Sequence, residues 1–413
     1  MSLEILPRPR PAGSFREPAA HFAAHDPAGA RRSRLPIHSV PGLLAGMPTR
    51  PYSVAVGLLL IGLSAPPVLA NPGRDWGIER QTYVDPVTGF TVQELTRPGT
   101  AADNLYFHFS NFTADNRHVL FTSDRTGSTQ LYRAEVATGR IVQLTADPEV
   151  SAATACPDPR EPRRVYLRSG AEIRALDIVD FTTRTIGTIP PPCVGGYQPL
   201  TLSGDGRWLA TGKQRDAGTW EIGLMDTSTG EYRTVLTQGF RIGHVQHSPT
   251  DPLLFYVWET GGYAPQRTWL VNADGSGNRP FYARTHPTNW FTPLKEWVTH
   301  EAWVVRTGDM TMVNDKVGLM VVDKAGEARL VREGRYWHAA PNPDGTQIVA
   351  DDFEGRLWLV TTATGDVRLL ATGLRDTVRV HPHPSFDRQG HFVQFHSGRT
   401  HETVALIDLR HGP

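Results

Sequence analysis

A unit of about 40 to 47 residues recurs along the chain from Tyr83 onward, and this repeat constrains the fold more than any local preference. Each copy contains a polar turn of the Pro-Asp-Gly type, two apolar segments, a Thr-Gly turn and a final segment. The clearest copies contain the turns at residues 113–116, 203–206, 343–345 and 387–390, and more divergent copies begin near Pro157, Ser248 and Thr299. Seven copies of four short strands predict an all-β fold, a seven-bladed β-propeller.

The two ends of the repeat array complement each other. The last copy ends near Leu409 with one strand fewer than the other copies, while residues 89–96, GFTVQELT, form a spare segment of the type that ends them. We therefore predict that this N-terminal strand pairs with the last blade and closes the ring, because an open array would leave strand edges exposed. Residues 71–413 are then predicted to form one propeller domain.

The region before residue 71 does not belong to the repeat. Residues 1–46 are rich in Pro, Ala and Arg without a strand or helix period, which predicts a disordered extension outside the true gene product. Residues 47–70 contain Arg50, an apolar run at 54–63 and small residues before Asn71, the pattern of a cleaved secretory signal. The apolar run is too short to span a bilayer, so we expect a periplasmic or secreted protein, with an uncleaved anchor as the alternative.

The overall charge excludes one class of partner. The chain contains 42 Lys and Arg against 42 Asp and Glu, so it has no net attraction to nucleic acid or to an anionic membrane surface. Its two cysteines, Cys156 and Cys193, allow one disulfide in an exported protein, with two buried thiols as the alternative. Neither has the Cys or His neighbours of a zinc finger.

Four histidines occupy the same place in four consecutive copies, seven residues before the Gly position of the polar turn. They are His244, His300, His338 and His383. This place begins the innermost strand of a blade, so the imidazoles are predicted to face the channel at one end, and His381 shares the strand face of His383. Converging imidazoles suit a divalent metal ion or proton transfer, with a structural cluster of neutral histidines as the alternative.

Several segments resemble the hallmark sequences of the oligogalacturonate lyases. They are Gly243-His244-Val245-Gln246, Thr299-His300-Glu301-Ala302-Trp303 and His381-Pro382-His383-Pro384-Ser385-Phe386, together with residues 123–132 and 267–272. The resemblance extends over most of the chain after residue 71. It implies a seven-bladed propeller that cleaves short pectin fragments by β-elimination and uses a manganese-type ion held by three histidines and a glutamine.

Matched residue by residue, the resemblance implies that His300, His381 and His383 are the metal ligands and that His244 is the base. His338 matches a further histidine of the family and is a second catalytic candidate. These residue types suit the reaction. Removing the C5 proton of a uronate builds negative charge on its carboxylate, which a metal ion can stabilise while an imidazole accepts the proton.

Three positions depart from the family. The family's glutamine ligand falls on Val378, a family arginine of the third blade falls near Trp220 or Glu221, and the family's His-Glu-Gly stretch reads Trp258-Glu259-Thr260-Gly261. Three histidines can still hold a divalent ion with water in the remaining positions.

Other residues near the same end can supply charge or stacking surfaces. Arg241, Arg267 and Arg379 are candidates for the missing positive charge, and Arg267 is taken as the catalytic one. The aromatic residues Tyr263, Trp290, Tyr336 and Trp337 either stack on sugar rings or pack between blades.

These features predict an exported lyase that cleaves uronic-acid oligosaccharides, oligogalacturonate by resemblance, to a 4,5-unsaturated uronate with Mn²⁺ as cofactor. The predicted partner is the oligosaccharide substrate, without nucleic acid and without a membrane span in the mature chain. The alternatives are a lyase for a different uronate polysaccharide and a non-catalytic periplasmic propeller that binds carbohydrate or protein, and fold alone does not separate them.

Overall fold

The computed structural model describes residues 71–259, 264–283, 296–374, 381–400 and 402–413. The predicted extension at 1–46, the predicted signal at 47–70, Val378, Arg379, Tyr263 and Trp290 lie outside the described residues. Within the described ranges the chain forms thirty β-strands and a short 3-10 helix, Leu409–His411.

The first three strands precede the first repeat and join sheets formed later in the chain. They are β1 (Asp75–Ile78), β2 (Gln81–Val84) and β3 (Thr91–Glu94). Blade 1 contains β4 (Ala102–Asn104), β5 (His118–Ser123), β6 (Gln130–Glu135) and β7 (Arg140–Gln143). Blade 2 contains β8 (Val150–Pro157), β9 (Arg164–Ser169), β10 (Glu172–Asp177) and β11 (Thr183–Thr188). Blade 3 contains β12 (Thr201–Leu202), β13 (Trp208–Gln214), β14 (Trp220–Asp226) and β15 (Tyr232–Gln238).

The remaining blades carry the histidines that the repeat alignment singles out. Blade 4 contains β16 (Ile242–His247), β17 (Leu253–Trp258), β18 (Thr268–Asn272) and β19 (Arg279–Pro280). Blade 5 contains β20 (Val298–Trp303), β21 (Met310–Asn314), β22 (Gly318–Val322) and β23 (Ala328–Glu333). Blade 6 contains β24 (Ala339–Pro341), β25 (Gln347–Asp351), β26 (Leu357–Thr361) and β27 (Val367–Ala371). Blade 7 contains β28 (Ser385–Phe386), β29 (Phe392–Ser397) and β30 (Thr403–Asp408).

Each blade is an antiparallel sheet whose strands follow one another in chain order. Strand β1 adds a fifth strand to blade 1 by pairing with β7, and β2 and β3 add two strands to blade 7. In that sheet β3 pairs with β30, with Val92 opposite Ile407 and Glu94 opposite Ala405. The seventh sheet therefore contains strands from both ends of the described chain. The predicted all-β, seven-bladed architecture is confirmed.

The hydrophobic core lies between blades. Six of the seven clusters of buried side chains combine residues from two adjacent blades, and the cluster between blades 6 and 7 also includes Phe107 of blade 1 and Ala302 of blade 5. Between blades 7 and 1, for example, Val404 and Leu406 pack with Phe121 and Tyr132. Truncating one such residue to alanine removes contacts that no other layer replaces, so it costs about 2–5 kcal/mol.

The Thr-Gly turn of the repeat connects the two outer strands of a blade. In blade 3 the Asp226 carboxylate accepts hydrogen bonds from the backbone N–H groups of Ser228 and Thr229, at 2.9 and 3.2 Å. Gly230 follows with φ of +76°, and a Cβ atom there would collide with the carbonyl oxygen of Ile186 in blade 2. Glycine is therefore required both by the backbone conformation and by the approach of the neighbouring blade.

The polar turn after each innermost strand is closed by one recurring hydrogen bond. The backbone N–H groups of Thr113, Ser203, Asn342 and Asp387 each donate to the carbonyl oxygen five residues later, at 2.9 to 3.0 Å. Because this bond fixes the start of the second strand, equivalent residues of different blades keep the same offset from the turn.

The two cysteines are free thiols. Cys156 is buried on β8, where burial raises the pKa of its thiol to about 12. The half-buried Cys193 thiol donates to the carbonyl oxygen of Gly195 at 3.3 Å. The sequence allowed either a disulfide or two separate thiols, and the structure has two separate thiols.

None of the helical residues that the structure describes forms a segment with the length and apolar character needed to cross a membrane.

Candidate functional site

The four aligned histidines lie at the beginning of four consecutive innermost strands. His244 and His300 are in β16 and β20, His338 immediately precedes β24, and His383 lies two residues before Ser385, the first residue of β28. We call these four residues together with His381 the histidine cluster. The repeat alignment predicts that these residues lie at one end of the channel. In the structure they lie close together there.

The rings of the histidine cluster are in contact. The His338 ring is central, with its centroid 4.2 Å from that of His300 and 4.1 Å from that of His383. The His381 ring lies 5.8 Å from His383 and 5.5 Å from His338, and the His244 ring lies 6.3 Å from His300. Imidazoles from four blades are therefore within reach of one small ligand.

Three of these histidines have left-handed backbone conformations. His244, His300 and His383 have φ of +48°, +53° and +42°, among only six non-glycine residues with positive φ in the described ranges. In β16 and β20 the registers shift around the histidine, which is the mark of a β-bulge. Such strain in non-glycine residues persists where the surrounding structure imposes it and is concentrated at functional sites.

His244 is held by a buried ion pair. Its Nδ1–H donates to the Glu301 carboxylate at 2.7 Å, and the other oxygen of Glu301 accepts from Nε of Arg267 at 3.0 Å. All three side chains are buried. Burial alone would raise the pKa of Glu301, but the Arg267 charge and the hydrogen bond from His244 outweigh it and hold that pKa well below the ordinary value.

This arrangement fixes the tautomer of His244. Because a carboxylate only accepts, Nδ1 carries the proton and Nε2 carries the lone pair. The hydroxyl of Tyr106 lies 3.4 Å from Nε2, and a carboxylate oxygen of Glu259 lies 3.8 Å from it. Nε2 is therefore the atom of His244 that can accept a proton.

His338 is oriented by a second buried carboxylate. The Asp351 carboxylate accepts from the His338 backbone N–H at 2.6 Å, and both of its oxygens lie 3.1 Å from the Nδ1 atom of that ring. Burial raises the pKa of Asp351 to about 8, against the hydrogen bond from His338 and the charge of His381. This contact directs Nε2 of His338 away from Asp351.

Two predicted metal ligands have imidazoles whose pKa is shifted in the direction that suits metal binding. The pKa values of His300 and His383 are well below the ordinary value, because of burial and then the neighbouring His338. Neutral imidazole is the form that binds metals. The Nδ1 atom of His300 is buried and has no hydrogen-bond partner in the described part of the chain.

The imidazole nitrogens are therefore suitable ligands for a divalent ion, but the described side chains do not converge on one position. Nδ1 of His381 accepts a hydrogen bond from Nε1 of Trp337 at 2.9 Å, and the His338 ring lies between His300 and His383. Across the described ranges no three His, Cys, Asp or Glu side chains are arranged as ligands of one ion.

A segment from blade 1 fills the channel beneath the cluster. Phe107 is buried, and its ring lies within 6.0 Å of the rings of His300, His338 and His383, which belong to three different blades. The next residue, His108, contacts the His244 ring at 4.7 Å. Burial and then the nearby His244 hold the pKa of His108 well below the ordinary value.

The other candidates have different positions. Arg267 is 2% exposed, so it reaches the cluster only through Glu301, and Arg241 is exposed. Trp337 contacts the His300 ring at 4.9 Å, whereas Tyr336 is part of the core between blades 5 and 6.

The third blade keeps positive charge near the position where the family has an arginine. Glu221 is buried and pairs with Nζ of Lys213 at 3.5 Å and with Nε of Arg215 at 3.4 Å. Arg215 is partly exposed and follows the second strand of its blade. Sequence reasoning singled out Trp220 and Glu221 but not these two cations.

Together these features define a class: a seven-bladed β-propeller with a histidine cluster at one end of its channel. The chain is similar to the oligogalacturonate lyase of Dickeya dadantii, with 23% identity over 306 residues that cover 68% of this chain and 76% of that protein. It is also similar to the oligogalacturonide lyase of Pectobacterium atrosepticum, with 23% identity over 243 residues that cover 54% of this chain and 60% of that protein. No protein-family model matches the chain.

Solved structures have the same fold. The oligogalacturonate lyase of Vibrio parahaemolyticus superimposes with a TM-score of 0.71 at 22% identity, covering 82% of this chain and 99% of that one. An oligogalacturonate lyase in complex with manganese gives a TM-score of 0.73 at 21% identity, covering 82% and 98%. The resemblance read from the sequence is thus confirmed, and identities this low establish the shared propeller fold.

Proposed function

We propose that this protein is a lyase that cleaves uronic-acid oligosaccharides, pectic ones first among them, by β-elimination at the histidine cluster. The observation that carries the proposal is the buried Glu301–His244 contact, which holds a histidine with its Nε2 lone pair beside the other imidazoles of the histidine cluster. Similarity to two oligogalacturonate lyases supports the substrate class.

In the proposed reaction Nε2 of His244 takes the C5 proton of the uronate. The electron pair of that C–H bond forms the C4–C5 double bond, and the C4–O4 bond breaks. The leaving oxygen takes up a proton, and His338, oriented by Asp351, is the candidate donor. The products are an unsaturated uronate and a shortened sugar chain, so no water is consumed.

A divalent metal ion, Mn²⁺ in the first instance, is proposed as the cofactor. His300, His381 and His383 would hold it, and it would stabilise the negative charge that develops on the uronate carboxylate. The proposal is supported by the neutral imidazoles, by the unpartnered Nδ1 atom of His300 and by the manganese complex of a structural relative.

Arg267 is proposed to act as a positioning residue. Its guanidinium compensates the buried charge of Glu301, and through that carboxylate it fixes the His244 ring. Its guanidinium already donates to Glu301, to the carbonyl oxygen of Trp258 and to the hydroxyl of Thr299, so it is not available for the substrate carboxylate. That role fits Arg215 better, because it lies on the third blade and is partly exposed.

Export is part of the proposal. It is supported by the apolar run and the small residues within 47–70. Fractionation of cells that express the full chain, with N-terminal sequencing of the mature form, tests it: a cytoplasmic protein with an intact N-terminus would rule it out.

A second candidate function is a propeller that binds uronate oligosaccharides without cleaving them. The observations that favour it are the replacement of a family ligand by Val378 and the lack of three converging metal-ligand side chains among the described residues.

Mass spectrometry of the products from trigalacturonate separates these functions. A lyase yields an unsaturated product lighter than the hydrolysis product by one water molecule, whereas a binding protein leaves the substrate intact. Hydrolysis products would overturn the proposed chemistry.

A further inference from the structure

A second cavity lies at the end of the channel opposite the histidine cluster. It has a volume of about 400 Å³ and is lined by the last residues of the innermost strands, including Trp303 and Phe386. Phe107 and His108 form its inner wall and separate it from the cluster. We call it the distal cavity. Its size is that of a site for a small molecule.

The polar turns of six blades contribute equivalent residues to this cavity. Each is the residue that follows the N–H donor of the recurring turn hydrogen bond. They are Pro159, Gly204, Pro249, Val305, Pro343 and Arg388. Five of them are glycine, proline or valine, so the ring they form is apolar except on blade 7, where it carries a guanidinium.

The Arg388 guanidinium has no counter-ion. Its Nε donates to the carbonyl oxygen of Phe112 at 3.0 Å, and Nη2 donates to that of Pro157 at 3.4 Å. No carboxylate of the described residues forms an ion pair with it, and Asp158 and Asp387 act on it only at longer range. Burial, against the neighbouring Cys156, lowers the pKa of Arg388 to about 10. It nevertheless remains charged at neutral pH.

Nearby Asp387 also lines the cavity, but none of the ion pairs among the described residues joins it to Arg388. Its Oδ1 atom accepts from the backbone N–H groups of His391 and Phe392, at 2.6 and 3.0 Å, while its Oδ2 atom is buried without a hydrogen-bond partner among the described residues. Arg388 is half-buried, so its guanidinium is partly desolvated without a paired anion, and a carboxylate from a ligand would compensate that cost.

We propose that the distal cavity binds a small monocarboxylate with an apolar body, whose carboxylate pairs with Arg388 and whose body packs against Trp303 and Phe386. Apolar surface predominates in the walls and suits an apolar body, and Arg388 supplies the charge for a carboxylate. The other arginine of the lining, Arg160, is exposed and donates to the carbonyl oxygen of Asp205. This site is distinct from the histidine cluster and does not depend on lyase activity.

A matched pair of probes tests the proposal on the wild-type protein. In calorimetric titrations 3-phenylpropionate should bind one molecule per chain, and 3-phenylpropanamide, which has the same body without the charge, should bind at least about tenfold more weakly. Acetate, which has the charge without the body, should not bind measurably. Equal binding of acid and amide, or no binding of either, would overturn the proposal.

The Arg388→Met variant tests the assignment of the cation. It should lower the affinity for 3-phenylpropionate by about tenfold or more. Arg410→Met, which removes an exposed arginine paired with Asp408 outside the cavity, should leave the affinity unchanged. If Arg388 serves only to link blade 7 to blades 1 and 2, its replacement will lower the melting temperature without changing the affinity, which contradicts the proposal. Should Arg388→Met fail to fold, Arg388→Lys keeps the charge and should bind the acid more weakly than wild type.

Discussion

The Glu301 carboxylate accepts a hydrogen bond from Nδ1 of His244 at 2.7 Å across the boundary between blades 4 and 5. The same carboxylate is compensated by Arg267, which belongs to blade 4. One blade thus supplies the imidazole and the cation, and its neighbour supplies the anion that aligns them. A catalytic base built in this way depends on blade packing as well as on its own strand.

Replacing Glu301 with glutamine should disable His244 without moving it. Arg267 requires an oxygen facing its Nε, so the amide NH₂ group would face Nδ1 of His244 and make it an acceptor. The proton would move to Nε2, and kcat should fall about 10²- to 10⁴-fold with little change in KM. The free energy of unfolding should also fall by about 3–5 kcal/mol, because the buried Arg267 keeps an acceptor but loses its counter-charge.

Glu79→Gln is the matched control for this variant. Glu79 forms a comparably buried pair with Arg125, at 3.0 Å, away from the histidine cluster. It should lower the melting temperature and spare kcat. If both variants lose activity in proportion to stability, Glu301 has no positioning role.

His244→Ala should abolish turnover and leave bound metal unchanged, because His244 is the proposed base and not a ligand. Activity assays with metal analysis of the same preparation measure both effects. Retained turnover would contradict the assignment of the base.

His383→Ala should abolish both metal binding and activity, reducing the content from about one ion per chain to nearly none. His118→Ala is the control, since His118 lies on β5 outside the cluster. Wild-type protein that contains no divalent ion when purified with manganese would argue for the binding function.

His338→Ala distinguishes two roles for the central ring of the cluster. As the proton donor oriented by Asp351, His338 should be needed for turnover and not for metal binding. Loss of metal from this variant would instead make His338 a ligand, in the place that Val378 leaves vacant in the family pattern.

The propeller and the four aligned histidines could be predicted because the repeat fixes both. The turn hydrogen bond made by residues such as Asn342 and Asp387 keeps equivalent residues of different blades at the same number of residues from the turn. Histidines that align in the repeats therefore lie around the same end of the channel. That relation needs no knowledge of side-chain packing.

The role of Glu301 was not predicted from the sequence, because it depends on a local departure from regular strand geometry. In a regular strand it would point away from His300, since neighbours alternate between faces. The bulge in β20, with φ of +53° at His300, lets both residues lie against His244. The one sequence feature that could have indicated the role of Glu301 is its position next to the aligned His300.

His108 was not predicted, and Arg267 was predicted without its partner, for other reasons. His108 lies in an irregular part of blade 1, between β4 and β5, where the repeat offset is lost. The sequence singled out Arg267 among three arginines but could not show that it is buried against a carboxylate, because that pairing joins residues 34 positions apart in two blades.

Absorbance at the ultraviolet band of unsaturated uronates reports directly whether the histidine cluster performs β-elimination. The assay uses residues 71–413, a panel of oligogalacturonates and other uronate oligomers, and added manganese or chelator. We expect a rise in absorbance on a pectic substrate that the chelator suppresses and that His244→Ala lacks. A flat trace across the whole panel, from wild-type protein with a cooperative thermal melt, would contradict it.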